Sequence, residues 1–436
     1  MMSQATLEGL PVELHICVLF SIPDLVSVRS LILASPIYHE AYRLVRHELL
    51  KEHLRRYYDG LIEIQDAIAA VRSRGLYANT ASNKPKIIAL LDAWRRSDEI
   101  RRLRLSPHGI LPEQPSDVNE TIKLLQLHKM ANFILDDYSK TANCPEWMDG
   151  DRWKNEILPL SLSITEKRRF FRAFYRLQIY GNIFGAIERA VDSEWSLEDN
   201  SWHDGDNKNK AFSPEEAWRL LFSTMAPWEV EEFGCFWKHC FNRYNQPYSE
   251  VCENLQQFGV MFFSDIPEDQ RPPDISHYDD VDDVAMNESE CRETLVSKGP
   301  ALLCKVLREA QPLARRDLIL VNASGHRTHF YDYWPRPNFE PGALPLLYPA
   351  DKFNFKTDRD GFKKLLETLP PWERPNLAWE RRWFRDDNQY REVFLDMFNY
   401  APENKHWEWG YAFWDDERAI EWKAPMLDDI YPGYDH

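Results

Sequence analysis

The apolar positions of the chain fall at helical spacing over most of its length and predict a mainly α fold with few short strands. The most informative stretch runs from Leu10 to Leu50. Leu10-Pro11 leads into a short helix over Val12 to Ile22, since proline suits a first turn. At about 100° per residue, Val12, Leu14, Ile16, Val18, Leu19, Phe20 and Ile22 spread round most of that helix. Glu13, His15 and Ser21 share no face. A helix apolar almost all round needs burial on more than one side, so a docking role is expected at this end of the chain. Pro23 breaks the helix, and Asp24 is placed to cap a second one over Leu25 to Ala34, with Leu25, Val28 and Ile32 on one stripe. Ser35-Pro36 reads as the cap and first residue of a third, which carries Ile37, Ala41, Leu44 and Val45 at helical spacing.

Beyond Leu50 the pattern predicts helices over Lys51 to Leu76 and Lys86 to Leu105, then one capped by Asp117. Thr165 is a good cap for a long helix running on to Asp192. Its aromatic and aliphatic residues, among them Phe170, Phe171, Phe174 and Leu177, lie on two sides, which suits the centre of a helical body. Pro227 starts another helix, with Glu229, Glu231 and Glu232 early and Lys238, His239 and Arg243 late, an order that suits the helix dipole. Leu318 to Val321 reads as a short strand, and Asp415 or Asp416 as the cap of a last helix. Trp195 to Ser213 reads as a polar loop and Pro335 to Pro349 as extended. One or two helices fit around Arg382 to Tyr400. The stretch 265–290 is the most acidic and least periodic, a loop outside the core.

The order LPxEL, apolar helix, Asp-Leu, second apolar helix resembles an F-box. Leu10, Pro11, Glu13 and Leu14 match the opening of that motif, and Val18, Leu19, Ile22 and Leu25 its later apolar positions. The chain departs from the family in a shorter link between the first two helices. Tyr38 is the aromatic nearest the place where the family carries a tryptophan. Further along, FFRAFYRLQIYGNIFG, PWEVEEFGCFWKHC and GYAFWDDERAIEW are similar to phrases in uncharacterised fungal F-box-like proteins, a likeness that brings no activity with it. The resemblance implies a three-helix module over 1–50 and a helical, target-recruiting region over 51–436. It also implies two partners: a Skp-type adaptor, which the matching residues would contact, and through it a cullin–RING ubiquitin ligase.

Composition narrows the alternatives. Of 436 residues, 44% are apolar, enough for a large core. Only 16 are glycine, and neither of the common glycine-rich phosphate loops occurs. A net charge of −17 disfavours nucleic acid, and no apolar run reaches the length of a membrane span. The opening residues do not resemble a secretory signal. Seven cysteines without C-x-x-C fit reduced thiols, so a cytoplasmic or nuclear place is expected. Arg95 to Arg104 forms the one basic cluster, which reads as a solvated helix face.

Candidate chemistry is sparse. Cys235 and His239 share a helix face, but Cys240 points elsewhere and Cys252 is distant, so the set is incomplete as a metal site. His326, His329 and Asp332 sit on a turn into an extended segment. The acid pairs Asp136-Asp137, Asp386-Asp387 and Asp415-Asp416 read as caps or surface. No metal, cofactor or catalytic residue is therefore expected. The leading expectation is a non-catalytic substrate receptor. Two other readings fit the same residues: an interaction protein whose hairpin is internal core, or an enzyme using the aromatic, acidic C-terminal region.

Overall fold

The computed structural model describes residues 7–61, 63–103, 114–191, 211–222, 225–250, 288–323, 359–369, 371, 373–383 and 405–424. The fold is mainly α, and no strand occurs among the described residues. At the N-terminus, Val12–Ser21 (α1) and Leu25–Ala34 (α2) pack against the first half of Pro36–Tyr58 (α3). Asp24 caps α2 as expected, accepting from the Ser27 amide at 2.8 Å. Pro36 occupies the first position of α3. These three helices close around a small core of Leu19, Val28, Tyr38, Ala41 and Leu49.

The second half of α3 belongs to a different core. Leu50, Leu54 and Tyr58 join the main cluster of the body. Val45, four residues before Leu49, leaves helical geometry at φ −121° and ψ 16°, which kinks the helix within the part that serves the module. A division at residue 50 thus falls within α3, beyond its kink, where Leu49 serves the module core and Leu50 the body core.

The body is built from Ile64–Arg72 (α4), Lys84–Leu103 (α5), Val118–Thr141 (α6), the single turn Gly150–Arg152 (α7) and Ile164–Ile183 (α8). It continues through Pro214–Leu221 (α9), Pro227–Arg243 (α10), Glu288–Ser297 (α11), Pro300–Arg308 (α12) and Pro312–Ala323 (α13). The last described helices are Arg359–Thr368 (α14), Leu377–Trp383 (α15), Lys405–Glu408 (α16) and Asp416–Glu421 (α17). Among the described residues no helix is long and apolar enough to cross a membrane.

The central element is α8, packed against α4, α6, α10, α11 and α12. Every residue from Arg169 to Gly181 is buried. Three of them are arginines, and a buried cation has to meet acid. Arg172 lies 3.2 Å from Glu229 and donates at 2.7 Å to Glu232. Arg176 reaches Glu229 at 2.8 Å, and Arg169 reaches Asp415 at 3.1 Å. Glu229 and Glu232 at the start of α10 thus serve as buried partners of Arg172 and Arg176. The third, Glu231, accepts from the Trp407 indole at 2.6 Å and the Tyr411 hydroxyl at 2.7 Å. Through these bonds the C-terminal aromatic segment is drawn into the body, burying Trp407, Trp409, Tyr411, Phe413 and Trp414. Gly234 leaves room for it: a Cβ there would lie 2.2 Å from the Trp407 ring.

Several sequence expectations are corrected. Leu318 to Val321 is helical, inside α13, because Arg316, Ile319 and Ala323 are buried at helical spacing after Pro312. The cap of α8 is Ser163 rather than Thr165, in a reciprocal box with Glu166, and the helix ends at Ile183. The helix expected over Lys51 to Leu76 breaks between Tyr58 and Ile64, where Gly60 adopts φ 72°. Of the expected acidic loop, Glu288 to Glu290 form the first turn of α11, and 265–287 lie outside the described residues. Also outside lie the proline-rich stretch Pro335 to Pro349, most of Trp195 to Ser213 and most of Arg382 to Tyr400. The side chains of Arg95 to Arg104 are outside as well.

Candidate docking surface

Pro11 opens α1, and its carbonyl accepts from the Leu14 and His15 amides at 3.0 and 3.2 Å. This start sends Leu19 inward, where it is fully buried beside Val28 and Tyr38. Leu14, five residues earlier, lands on the opposite side and remains 46% exposed. His15, expected only as a polar interruption, is buried. Its Nε2 lies 2.9 Å from the Leu7 carbonyl, and its ring meets Tyr38 edge-on at 4.8 Å. The Ser35 hydroxyl donates to Glu8 at 2.6 Å. Together they clip the turn Leu7–Gly9 onto the module.

The clipped turn, the start of α1 and the first half of α3 enclose an open groove of about 440 Å³. Its lining is Glu8, Leu10, Val12, His15, Pro36, Ile37, Glu40, Ala41 and Leu44. Val12 and Ile37 are 42% and 41% exposed, and Leu44 is 69% exposed. Exposed large apolar side chains gather on this module: Leu7, Val12, Leu14, Val26, Leu33, Ile37 and Leu44. Among the described residues of the body they are scattered, at Ile164, Val191, Leu313 and Ile420. An apolar patch concentrated on one module is the usual mark of a contact surface.

The residues matched to the F-box motif divide three ways. Pro11, Glu13 and Leu14 are exposed, and Leu10 lines the groove half-buried. Val18 and Ile22 are half-buried against the module core, while Leu25 leans on the body core. Leu19 is interior, part of the module's own core. Val12, Ile37 and Leu44 carry the open face instead. The sequence does show them, but as apolar stripes that give no sign of which side faces water.

The module is tied to the body at the far end of α1. The Arg56 guanidinium donates to the carbonyls of Phe20 at 2.7 Å and Ile22 at 3.1 Å, capping α1 from α3. Nearby His53 is fully buried, with no hydrogen-bond partner at either ring nitrogen. Burial first, and then Arg56, hold its pKa below the usual histidine value.

The described members of the other candidate clusters are packed or paired within the chain. Cys235 and Cys240 are buried on α10, and His239 packs edge-on to Tyr138 at 4.9 Å. Burial, with Arg243 close by, lowers the His239 pKa to about 3. Cys252, His326, His329 and Asp332 lie outside the described residues, as do Asp386 and Asp387. Among the described residues no three His, Cys, Asp or Glu side chains are placed to hold a metal ion. Asp137 accepts both Arg243 nitrogens at 2.7 and 2.9 Å, and Asp136 pairs with Lys140 on the surface. Asp415 precedes α17 as its cap residue, and Asp416 accepts from the Leu377 amide at 2.6 Å. No protein-family model, curated protein or solved structure matches the chain.

Proposed function

We propose that the protein is a non-catalytic substrate receptor, docking through its N-terminal module on a Skp-type adaptor of a cullin–RING ubiquitin ligase. The observation that carries the reading is the open apolar face of Val12, Ile37 and Leu44, with Leu14 exposed on another side of α1, set on a module that already has a closed core of its own. These side chains are not needed to hold the three helices together, so their exposure calls for another explanation. The LPVEL opening, with Pro11, Glu13 and Leu14 at the surface, is where the F-box resemblance puts the adaptor. A receptor of this kind does no chemistry. It raises the effective concentration of a target beside the ligase.

Co-purification of the full chain with a Skp-type adaptor tests the proposal. A stable complex at micromolar concentration is expected, and it should be lost in Val12→Asp and Leu14→Asp, which change only exposed positions. A folded wild-type chain that forms no such complex overturns the reading.

A further inference from the structure

The groove between α1 and α3 has a chemistry of its own. Its floor is apolar, and the charged side chains lining it are carboxylates, Glu8 and Glu40, with neither lysine nor arginine among them. Glu8 is held in place by the Ser35 hydroxyl, a neutral donor, and among the described residues no lysine or arginine pairs with it. Glu40 has only exposed neighbours, Arg43 at 3.3 Å and His39 at 3.8 Å, and such pairs offset little charge in water. Along α3, Ile37, Ala41 and Leu44 share one face over two turns, a length of about 10 Å at the helical rise. That space accepts two or three apolar side chains from a short helical segment, one with charge opposite to the rim.

We infer that the groove is the seat of an apolar–basic helical segment of the adaptor, its apolar side chains between Val12 and Leu44 and its Lys or Arg side chains over Glu8 and Glu40. The inference rests on the docking reading above and deepens it by stating the chemistry of the partner's contact. It makes binding through this groove salt-dependent, since rim charges act mainly on encounter and are screened by ions.

The test uses the purified full chain and a purified Skp-type adaptor, with affinity measured at low and high ionic strength. Glu8→Gln/Glu40→Gln keeps the Ser35 hydrogen bond available but removes both charges. It should weaken binding about tenfold at low salt and flatten the salt dependence. Ile37→Ala/Leu44→Ala should weaken binding by a similar or larger factor at every ionic strength. Thermal melts should match the wild type for the glutamine variant and stay folded and cooperative for Ile37→Ala/Leu44→Ala, since Leu44 is 69% and Ile37 41% exposed. Wild-type binding that survives both double variants unchanged overturns this inference while the docking reading stands on Pro11, Glu13 and Leu14. Tighter binding by the glutamine variant also overturns it, as does a chain that self-associates through Leu44, which gives the groove to a second copy. Absence of any wild-type complex overturns both readings.

Discussion

At the scale of single residues, burial decides chemistry here more than sequence neighbourhood does. His128 is stacked on Tyr57 at 5.4 Å and packed against Tyr58 and Phe171, and its Nδ1 is 3.4 Å from the Tyr175 hydroxyl. Burial alone lowers its pKa to about 4. In the unfolded chain a histidine binds its proton near pH 6.5, so the stability tied to neutral His128 is whole above that value. It is lost as pH falls from there toward 4, at about 1.4 kcal/mol per pH unit. His239 adds a slope of the same sign. Urea unfolding at pH 7 and pH 5 should show His128→Phe losing less stability on acidification than the wild type does. Equal losses in the two proteins would mean that His128 is open to water.

At the scale of elements, α8 and α10 meet through ions as well as rings. Arg172 serves both Glu229 and Glu232, each almost fully buried. Arg172→Met strands carboxylate charge in the core and should cost about 3–5 kcal/mol. Arg172→Met/Glu232→Leu should recover much of that loss, and chemical denaturation of the two variants against wild type measures the difference. How much of this was legible in the sequence depended on how local the cause was. Asp24 and Pro36 announce α2 and α3 because caps and first turns are set by adjacent residues. The Ser163 box competes with an equally plausible cap two residues on, and only the fold chooses between them. The strand expected at Leu318 to Val321 failed because four apolar residues in a row fit either structure. The groove was out of reach: its walls come from Glu8, from Val12 and from Ile37 to Leu44, and no local pattern joins three separate segments. The stripe Ile37, Ala41, Leu44 was visible, yet only Ala41 of the three is buried.

At the scale of the whole molecule, the body is closed by its own C-terminal residues. Trp407 lies over Gly234 of α10, and its indole reaches Glu231 on the same helix. Gly234→Ala puts a methyl group into that ring and should destabilise by about 1–3 kcal/mol through overpacking. Trp407→Leu should cost about as much through the cavity it leaves. The two together should cost less than their sum, since each relieves what the other creates, and a double-mutant cycle on unfolding free energies reads the coupling. Strict additivity would place the C-terminal segment away from α10.

The kinked helix α3 gives the protein a fixed geometry between its two ends. Its 23 residues form two helical stretches joined at the Val45 kink, with one end in the module core and the other in the main core. Arg56 and Leu25 brace the join from the side. A helix held at both ends acts as a ruler rather than a tether: it sets a distance and a bearing, and it leaves only the bend at Val45 to vary them. Anything carried by the body would then be presented to a partner of the module over a narrow arc, and which of its surface groups come within reach would be a matter of angle.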